Sequence, residues 1–111
     1  MDLAADLGRV LSPERVLARP IDRLARSVDA SIYRLIPEVV VRPRDVGEVR
    51  GLLAYARAHH RHLTFRAAGT SLSGQALSDD ILVELGSLWR DSRILDQGRR
   101  VWTQPGVVGG Y

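Results

Sequence analysis

The chain has 111 residues, of which 45% are hydrophobic and 26% are charged, and this size supports one small core and one domain at most. All 16 basic residues are arginines scattered along the chain, with a net charge of +3, so the basic stripe typical of nucleic-acid binders is missing. No apolar run approaches the ~20 residues of a membrane span, and the acidic start lacks a secretory signal pattern. We therefore expect a cytoplasmic protein that neither binds nucleic acid nor spans a membrane.

The sequence of residues 1–36 predicts an N-terminal helical segment, which we call the lead-in. Ser12 can cap a helix that begins at Pro13 and Glu14, because proline fits the first helical position and an acidic residue suits the positive end of the helix. The pair Arg19-Pro20 should end that helix. Short turns then lead to an apolar patch that should pack on a larger body and that consists of Ile32, Tyr33, Leu35 and Ile36.

After Pro37 the sequence predicts a strand, a helix and a second strand. The β-branched run at 39–41 suits a strand covered on both faces, and Asp45 with Glu48 forms a capping box. The helix should end near 59–60, before a strand at 63–65, and this order predicts a parallel pair with a right-handed crossover. The apolar stripe of the helix should consist of Val49, Leu52, Leu53 and Ala56.

A third strand is predicted at 81–85, and a hairpin is predicted from segments 93–96 and 100–104 around Gln97, Gly98 and Arg99. The predicted fold class is therefore α+β, close to α/β. A helical lead-in over 1–36 precedes a βαβ unit with a small mixed sheet over 37–111.

The segment from Arg66 to Ala76 directly follows the predicted strand at 63–65, and nearly all of its residues are small or hydroxylated. Such a loop can turn several backbone N–H groups toward one point and form an anion-binding nest. Gly69 and Gly74 permit backbone angles that side chains disfavour. Hydroxyl donors come from Thr70, Ser71 and Ser73. These features are typical of a site for a diphosphate.

Two common phosphate motifs do not match this loop. Gly69 and Gly74 have the spacing of a nucleotide-hydrolysing loop, but Gln75 and Ala76 stand where that loop needs lysine and Ser/Thr. The three-glycine dinucleotide fingerprint is also missing. The residues alone thus favour a phosphate that is held by backbone and not cleaved, with an ordinary surface loop as the alternative.

Four other groups of residues have structural interpretations. The histidines 59, 60 and 62 are more typical of a helix C-terminus than of a zinc site. The aspartates 79 and 80 are more typical of a solvated turn than of acid–base catalysis or metal binding. The tryptophans 89 and 102 suit core or interface positions. Glu84, inside an apolar strand, should face solvent or pair with an arginine. We therefore expect no metal site and no catalytic residue in this chain.

The order of motifs resembles the FAD-linked oxidase family, which has the p-cresol-methylhydroxylase-type (vanillyl-alcohol-oxidase-type) FAD-binding fold. The resemblance covers roughly residues 22–111 and rests on four segments at 37–43, 45–48, 65–76 and 104–107. Within the family it is closest to the flavin subunits of D-lactate dehydrogenase and glycolate oxidase. The segment 29–34 resembles large bacterial members that also carry a C-terminal iron–sulfur domain.

The resemblance implies a pyrophosphate-binding loop made of Arg66, Ala67, Ala68, Gly69, Thr70, Ser71, Leu72, Ser73, Gly74, Gln75 and Ala76. The amides of residues 68–73 would contact the phosphates, while Gly74 and Gln75 would line the flavin side. A turn near the adenine–ribose end would consist of Pro105, Gly106 and Val107. Some relatives bind flavin covalently through a histidine in this loop, and no histidine lies between Arg66 and Ala76, so the FAD is expected to be non-covalent.

The resemblance further implies that the chain is the first, truncated part of the FAD-binding domain and is inactive alone. The substrate domain would be missing, as would any iron–sulfur domain. The full-length enzyme would oxidise a small 2-hydroxy acid such as D-lactate or glycolate, with peripheral association with the inner membrane as an alternative location to the cytoplasm. The exposed apolar surface of the fragment should favour self-association. The alternative function is a non-catalytic α/β interaction module that has lost its cofactor.

Overall fold

The computed structural model describes residues 2–109, which form three helices, six strands and two short 3₁₀ turns. The helices are α1 (Leu3–Val10), α2 (Pro20–Ala25) and α3 (Val46–Ala58). The strands are β1 (Val16–Leu17), β2 (Val39–Val41), β3 (Leu63–Arg66), β4 (Ile81–Glu84), β5 (Ser92–Leu95) and β6 (Arg100–Thr103). The 3₁₀ turns lie at Pro13–Arg15 and Asp96–Gly98. The α+β class with a small mixed sheet is confirmed.

The main sheet has the strand order β1-β2-β4-β3. β2 and β3 are both parallel to β4, and Val83 of β4 lies between Val41 and Phe65. β2 and β3 are therefore parallel, as predicted, but they are not hydrogen-bonded to each other, because β4 lies between them. The three apolar residues of β4 at 81–83 are fully buried, which suits a central strand. Strand order depends on contacts between distant segments, and no local pattern encodes it.

Helix α3 begins at its predicted cap, where the Glu48 N–H donates to Asp45 Oδ1 at 2.9 Å, and it ends at Ala58. Leu52 and Ala56 are buried as predicted, but Leu53 is 51% exposed. Tyr55 packs against the core instead. The shift has a tertiary cause, since the partner of α3 is α1, and the Tyr55 hydroxyl donates to Asp6 Oδ2 at 2.9 Å.

The lead-in differs most from its prediction. The helix expected from Ser12 to Arg19 is a single turn at Pro13–Arg15, followed by β1, which pairs antiparallel with β2. α1 and α2 lie within the predicted helical lead-in, but their positions were not predicted, and α2 begins at Pro20. The core contains Leu7 and Leu11 beside residues of β2, β4 and α3. Residues 2–36 are thus part of the same packed body as the sheet.

The predicted hairpin is confirmed as β5 and β6, with Ile94 opposite Val101 and Arg93 opposite Trp102. It forms a separate two-stranded sheet, and every residue of both strands is exposed. The Arg93 guanidinium lies 4.5 Å from the centre of the Trp102 ring. Across residues 2–109, none of the helices has the length and apolar character needed to cross a membrane.

Candidate functional site

The candidate loop is the connection between two parallel neighbours, β3 and β4. A connection between adjacent parallel strands needs a dozen or more residues, and here residues 67–80 make it without a helix. The loop leaves the carboxyl end of β3, where the Leu85 N–H after β4 donates to the Arg66 carbonyl at 2.7 Å. Ligands of open parallel sheets bind outside such strand ends, where connections diverge, so the loop lies at a favourable edge.

The loop encloses an open concavity of about 250 Å³. It is lined by loop residues predicted from the sequence and by the last strand residues before them, namely Phe65, Arg66, Ala67, Ala68, Gly69, Thr70, Ser71, Gln75 and Ala76. Gly69 and Gly74 have φ of +72° and +84°, which confirms that the loop needs glycine at both positions.

The backbone N–H groups of residues 68–72 are five consecutive free donors. Among the hydrogen bonds within residues 2–109, none uses any of these five groups as donor. The loop is held open by its own side chains, because Ser71 Oγ accepts the Gln75 N–H at 3.2 Å and donates to Gln75 Oε1. A row of unpaired amides on a glycine-containing turn attracts an anion, so the residues fit a diphosphate.

Arg66 is oriented away from the free amides. Its two terminal nitrogens donate to the carbonyl oxygens of Arg26 and Val28, each at 3.1 Å. A Cβ on Gly69 would lie 2.5 Å from the Arg66 Cζ. The guanidinium therefore lies under the loop backbone and joins it to the lead-in.

Lead-in residues form a second concavity beside the loop, which the sequence-based site did not include. Its volume is about 310 Å³, and its lining consists of Tyr33, Arg34, Leu35, Ser73, Gly74 and Leu77. Tyr33 contacts Gly74 so closely that a Cβ there would be 3.1 Å from the Tyr33 ring. The apolar patch at 32–36 and the resemblance of segment 29–34 were the sequence signals in this region, but the prediction that the patch packs on a larger body is wrong, since its apolar side chains are exposed.

The second predicted segment, Pro105 to Val107, packs on the chain that follows β4. The Gly106 N–H donates to the Trp89 carbonyl at 2.8 Å, and the Val107 N–H donates to the Gln104 carbonyl at 3.3 Å. A concavity of about 290 Å³ lies there, lined by Arg90, Gly106, Val107 and Val108. The two predicted segments thus pack at the carboxyl ends of neighbouring strands, β3 and β4.

Charged side chains form ion pairs at this same edge. The Arg26 Nε donates to Glu84 Oε2 at 3.0 Å, and the Arg42 Nε lies 3.5 Å from Glu84 Oε1. The hydrogen bond with Glu84 raises the pKa of Arg26 above its usual value. The expected pairing of Glu84 with arginine is confirmed, and this pairing holds α2 against β4.

The remaining polar groups have structural contacts. The ring centroids of His59 and Tyr55 are 4.2 Å apart in a stacked arrangement, and residues 2–109 contain no group of three side chains able to hold a metal. The prediction of a solvated turn fits Asp79, which is exposed, but not Asp80. Asp80 Oδ2 accepts the His62 N–H at 2.8 Å and its carboxylate pairs with Arg61. These contacts form because Asp80 directly precedes β4 and His62 directly precedes the neighbouring strand β3.

The two tryptophans differ in their surroundings. Trp89 is buried, and its Nε1 donates to the Pro43 carbonyl at 2.7 Å. Trp102 is 40% exposed on the hairpin. Trp89 is therefore a core residue, as the sequence suggested, while Trp102 lies at the surface.

Comparison with known proteins identifies similar sequences and one similar fold. The model of a family described as FAD binding domain matches residues 37–111. D-2-hydroxyglutarate dehydrogenase of Escherichia coli (strain K12) is 43% identical over 68 residues, or 58% of this chain. The enzyme of that name from Pantoea ananatis (strain AJ13355) is 37% identical over 93 residues, or 78% of this chain. L-gulonolactone oxidase of Mus musculus is 29% identical over 79 residues, or 71% of this chain.

A crystal structure of p-cresol methylhydroxylase with substrate bound superimposes with a TM-score of 0.61 over 84% of this chain, at 12% identity. This likeness shows a shared fold. The match covers 19% of that structure, 7% and 9% of the two dehydrogenases, and 18% of the oxidase. The chain therefore corresponds to a small part of each of these proteins.

Proposed function

This chain belongs to the FAD binding domain family, and on that basis we propose that the loop from Arg66 to Ala76 holds the pyrophosphate of a non-covalent FAD. The observation that carries the proposal is the row of five unpaired backbone N–H groups at 68–72. Backbone donors suit a diphosphate that is bound and not cleaved.

Individual residues have distinct roles in this site. The amides of residues 68–72, with the N–H of Ser73, face the phosphates, and the Thr70 hydroxyl adds a donor. Ser71 acts through Gln75, because its hydroxyl closes the second half of the loop over residues 71–75. Gly74 and Gln75 line the flavin side, and the turn at 105–107 with Arg90 lies at the adenine–ribose end. The loop from 66 to 76 contains no histidine, which supports non-covalent attachment.

We infer that the whole protein is a dehydrogenase or oxidase of a small 2-hydroxy acid, with D-lactate, glycolate and a 2-hydroxy diacid as candidates. Bound flavin would supply the redox chemistry by accepting a hydride, while the residues of this chain would hold and orient it. The similarity to two D-2-hydroxyglutarate dehydrogenases supports this substrate class. The substrate-binding residues, and any iron–sulfur cluster, would belong to further domains, since this chain contains no cysteine.

Titration with FAD tests the binding site directly. We expect saturable quenching of flavin fluorescence by the purified chain, with micromolar affinity, because one loop system alone makes few contacts. Inorganic pyrophosphate should compete with FAD, while riboflavin, which lacks phosphates, should not. Absence of saturable FAD binding at high micromolar concentration would contradict the proposal and favour the non-catalytic interaction module.

Two variants that each remove one exposed hydroxyl distinguish an effect at the loop from a general surface effect. Thr70→Val removes a hydroxyl from the exposed loop, and we expect it to weaken FAD binding by about 10- to 100-fold, the loss of one hydrogen bond to a charged group. Ser92→Ala removes an exposed hydroxyl from strand β5 of the hairpin and should leave the affinity unchanged. Equal affinities for both variants would remove the Thr70 hydroxyl from the site.

A further inference from the structure

We propose that Arg66 is a positioning residue that ties the strap, residues 26–36, to the loop at 66–76, so that the strap is a structural part of the cofactor site. The inference rests on the proposed function, because it concerns FAD binding at this loop. It assigns a role in that function to lead-in residues that precede the region matched by the family model, which begins at residue 37.

The Arg66 side chain has the geometry of a bridge. Its Nη1 donates to the Arg26 carbonyl and its Nη2 donates to the Val28 carbonyl, both at 3.1 Å. The planar guanidinium offers two donors in a fixed fork, and two carbonyls two residues apart match that fork. Lysine carries its three donors on a single nitrogen, so it cannot place two separate nitrogens on the two carbonyls as Arg66 does.

The loop lies directly on this bridge at Gly69. A Cβ built on Gly69 would lie 2.5 Å from the Arg66 Cζ and 2.6 Å from its Nε, distances that real Cβ atoms do not show. Gly69 therefore allows the guanidinium to pass under the loop and reach the strap. Displacing the guanidinium would remove the support of the first free amides of the nest.

In the described part of the chain Arg66 makes no direct ion pair, but its charge acts on the Asp29 carboxylate of the strap, whose pKa is lowered first by its hydrogen bond with Ser31 and further by Arg66. Among the ion pairs formed within residues 2–109, none includes Arg66, and both hydrogen-bond partners of its terminal nitrogens are neutral carbonyls. Arg26 and Arg42, in contrast, pair with Glu84. The Arg66 charge beneath the loop is therefore partly compensated by Asp29, and the main contribution of Arg66 to the site is its bridge to the strap.

Internal contacts hold the strap together, so that a change at one of its attachments should affect all of it. An isolated antiparallel bridge joins Val28 to Arg34, and the Leu35 N–H donates to the Ser27 carbonyl at 3.2 Å. Tyr33 provides a second attachment, since its ring lies against Gly74. The strap is thus fixed at both ends of the loop, by Arg66 near the start and by Tyr33 near the end.

Hydrogen exchange followed by mass spectrometry tests this coupling without any flavin. In Arg66→Met we expect the hydrogen-bonded amides of residues 26–36 and 75–77 to exchange at least about 10-fold faster than in the wild type, while those of β2 and β4 keep their protection. Arg66→Lys should show an intermediate increase. The control is Arg57→Met, an exposed arginine on α3, which should change neither segment.

The outcomes distinguish the link between strap and loop through Arg66 from the proposed FAD-binding function. Unchanged exchange of the strap in Arg66→Met would overturn the bridge, and if that variant does not fold, the exchange pattern of Arg66→Lys decides. A loosened strap should be accompanied by at least about 10-fold weaker FAD binding in Arg66→Met. Wild-type affinity with a loosened strap would overturn the role of the strap in the site. If the wild type binds no FAD, the proposed function fails, and the role of the strap in the cofactor site fails with it. The hydrogen exchange of the strap amides would still show whether Arg66 joins the strap to the loop.

Discussion

Arg15 and Glu48 form a two-pronged ion pair across 33 positions of sequence, in which Arg15 Nη1 and Nη2 donate to the two carboxylate oxygens of Glu48, the second bond measuring 2.6 Å. Both side chains are largely buried, with 16% and 13% exposed. Arg15 also donates to the Arg42 carbonyl at 3.2 Å, and Glu48 accepts the Arg44 N–H at 2.6 Å. This pair therefore joins the turn before β1 to the first turn of α3.

The stability of the chain should fall in acid because of Glu48. The hydrogen bonds from Arg15 lower the pKa of Glu48 from 4.5 to about 2, so this stabilisation is complete above pH ~4.5 and is lost as pH falls through about 2. We expect the pair to contribute about 2–3 kcal/mol at neutral pH. Urea unfolding between pH 7 and pH 2 would measure the loss.

Two variants isolate this contribution. Glu48→Gln should lower the free energy of unfolding at pH 7 and show a flatter pH dependence below 4.5, because its uncharged amide cannot titrate. Asp79→Asn, which changes an exposed acidic residue, should follow the wild-type curve. A Glu48→Gln curve parallel to that of the wild type would show that Glu48 is not responsible for the acid sensitivity.

Gly69→Ala should reproduce the effect of Arg66→Met on the strap. The new methyl group would displace the guanidinium from its two carbonyl partners, and φ at +72° adds about 1 kcal/mol of backbone strain. In the Arg66→Met background the same substitution should cost less free energy of unfolding, because only the strain remains. A double-mutant cycle measured by urea unfolding tests this, and strictly additive effects would contradict contact between the two residues.

Gly106→Ala should destabilise the turn that follows β6. A Cβ there would meet the carbonyl oxygens of Gly86 and Trp89, the latter at 2.5 Å. These are backbone atoms that cannot rotate aside, so we expect a loss of about 1–3 kcal/mol. Gly109→Ala is the matched control, since a Cβ at Gly109 has no heavy atom within 4 Å. Equal unfolding midpoints of the two variants would show that the turn is not packed as described.

Self-association should depend on the β5–β6 hairpin. Ile94 and Val101 are opposite each other and are 78% and 62% exposed, and paired apolar side chains on an open two-stranded sheet favour contact with another molecule. Replacing both by threonine should lower the apparent mass in light scattering at high micromolar concentration. A wild-type protein that stays monomeric at those concentrations would contradict the prediction.

Local sequence patterns were sufficient to predict many of the helices, strands and turns of this molecule. The capped helix at α3, the strands at β2, β3 and β4, and the hairpin are where residue periodicity and turn chemistry predicted them. The need for glycine at 69 and 74 was also predicted correctly. Such features depend on contacts within a few residues, which a sequence displays directly.

Tertiary contacts decided the rest. The position of β4 between β2 and β3, the conversion of the expected Ser12 helix into one turn and a strand, and the exposure of Leu53 all follow from the packing of distant segments. Propensity is a weak prior at such places, because burial and pairing with a neighbour outweigh it.

The loop from Arg66 to Ala76 depends on both local sequence patterns and tertiary contacts. Its sequence alone established that small and hydroxylated residues after a strand can present amides to an anion. Only the folded chain decided that Arg66 faces away from those amides, reaches the carbonyls of Arg26 and Val28, and brings the strap beside the loop. The physical reason is that an arginine side chain finds its partners in space, and residues 40 positions away in sequence are adjacent only after the sheet has formed.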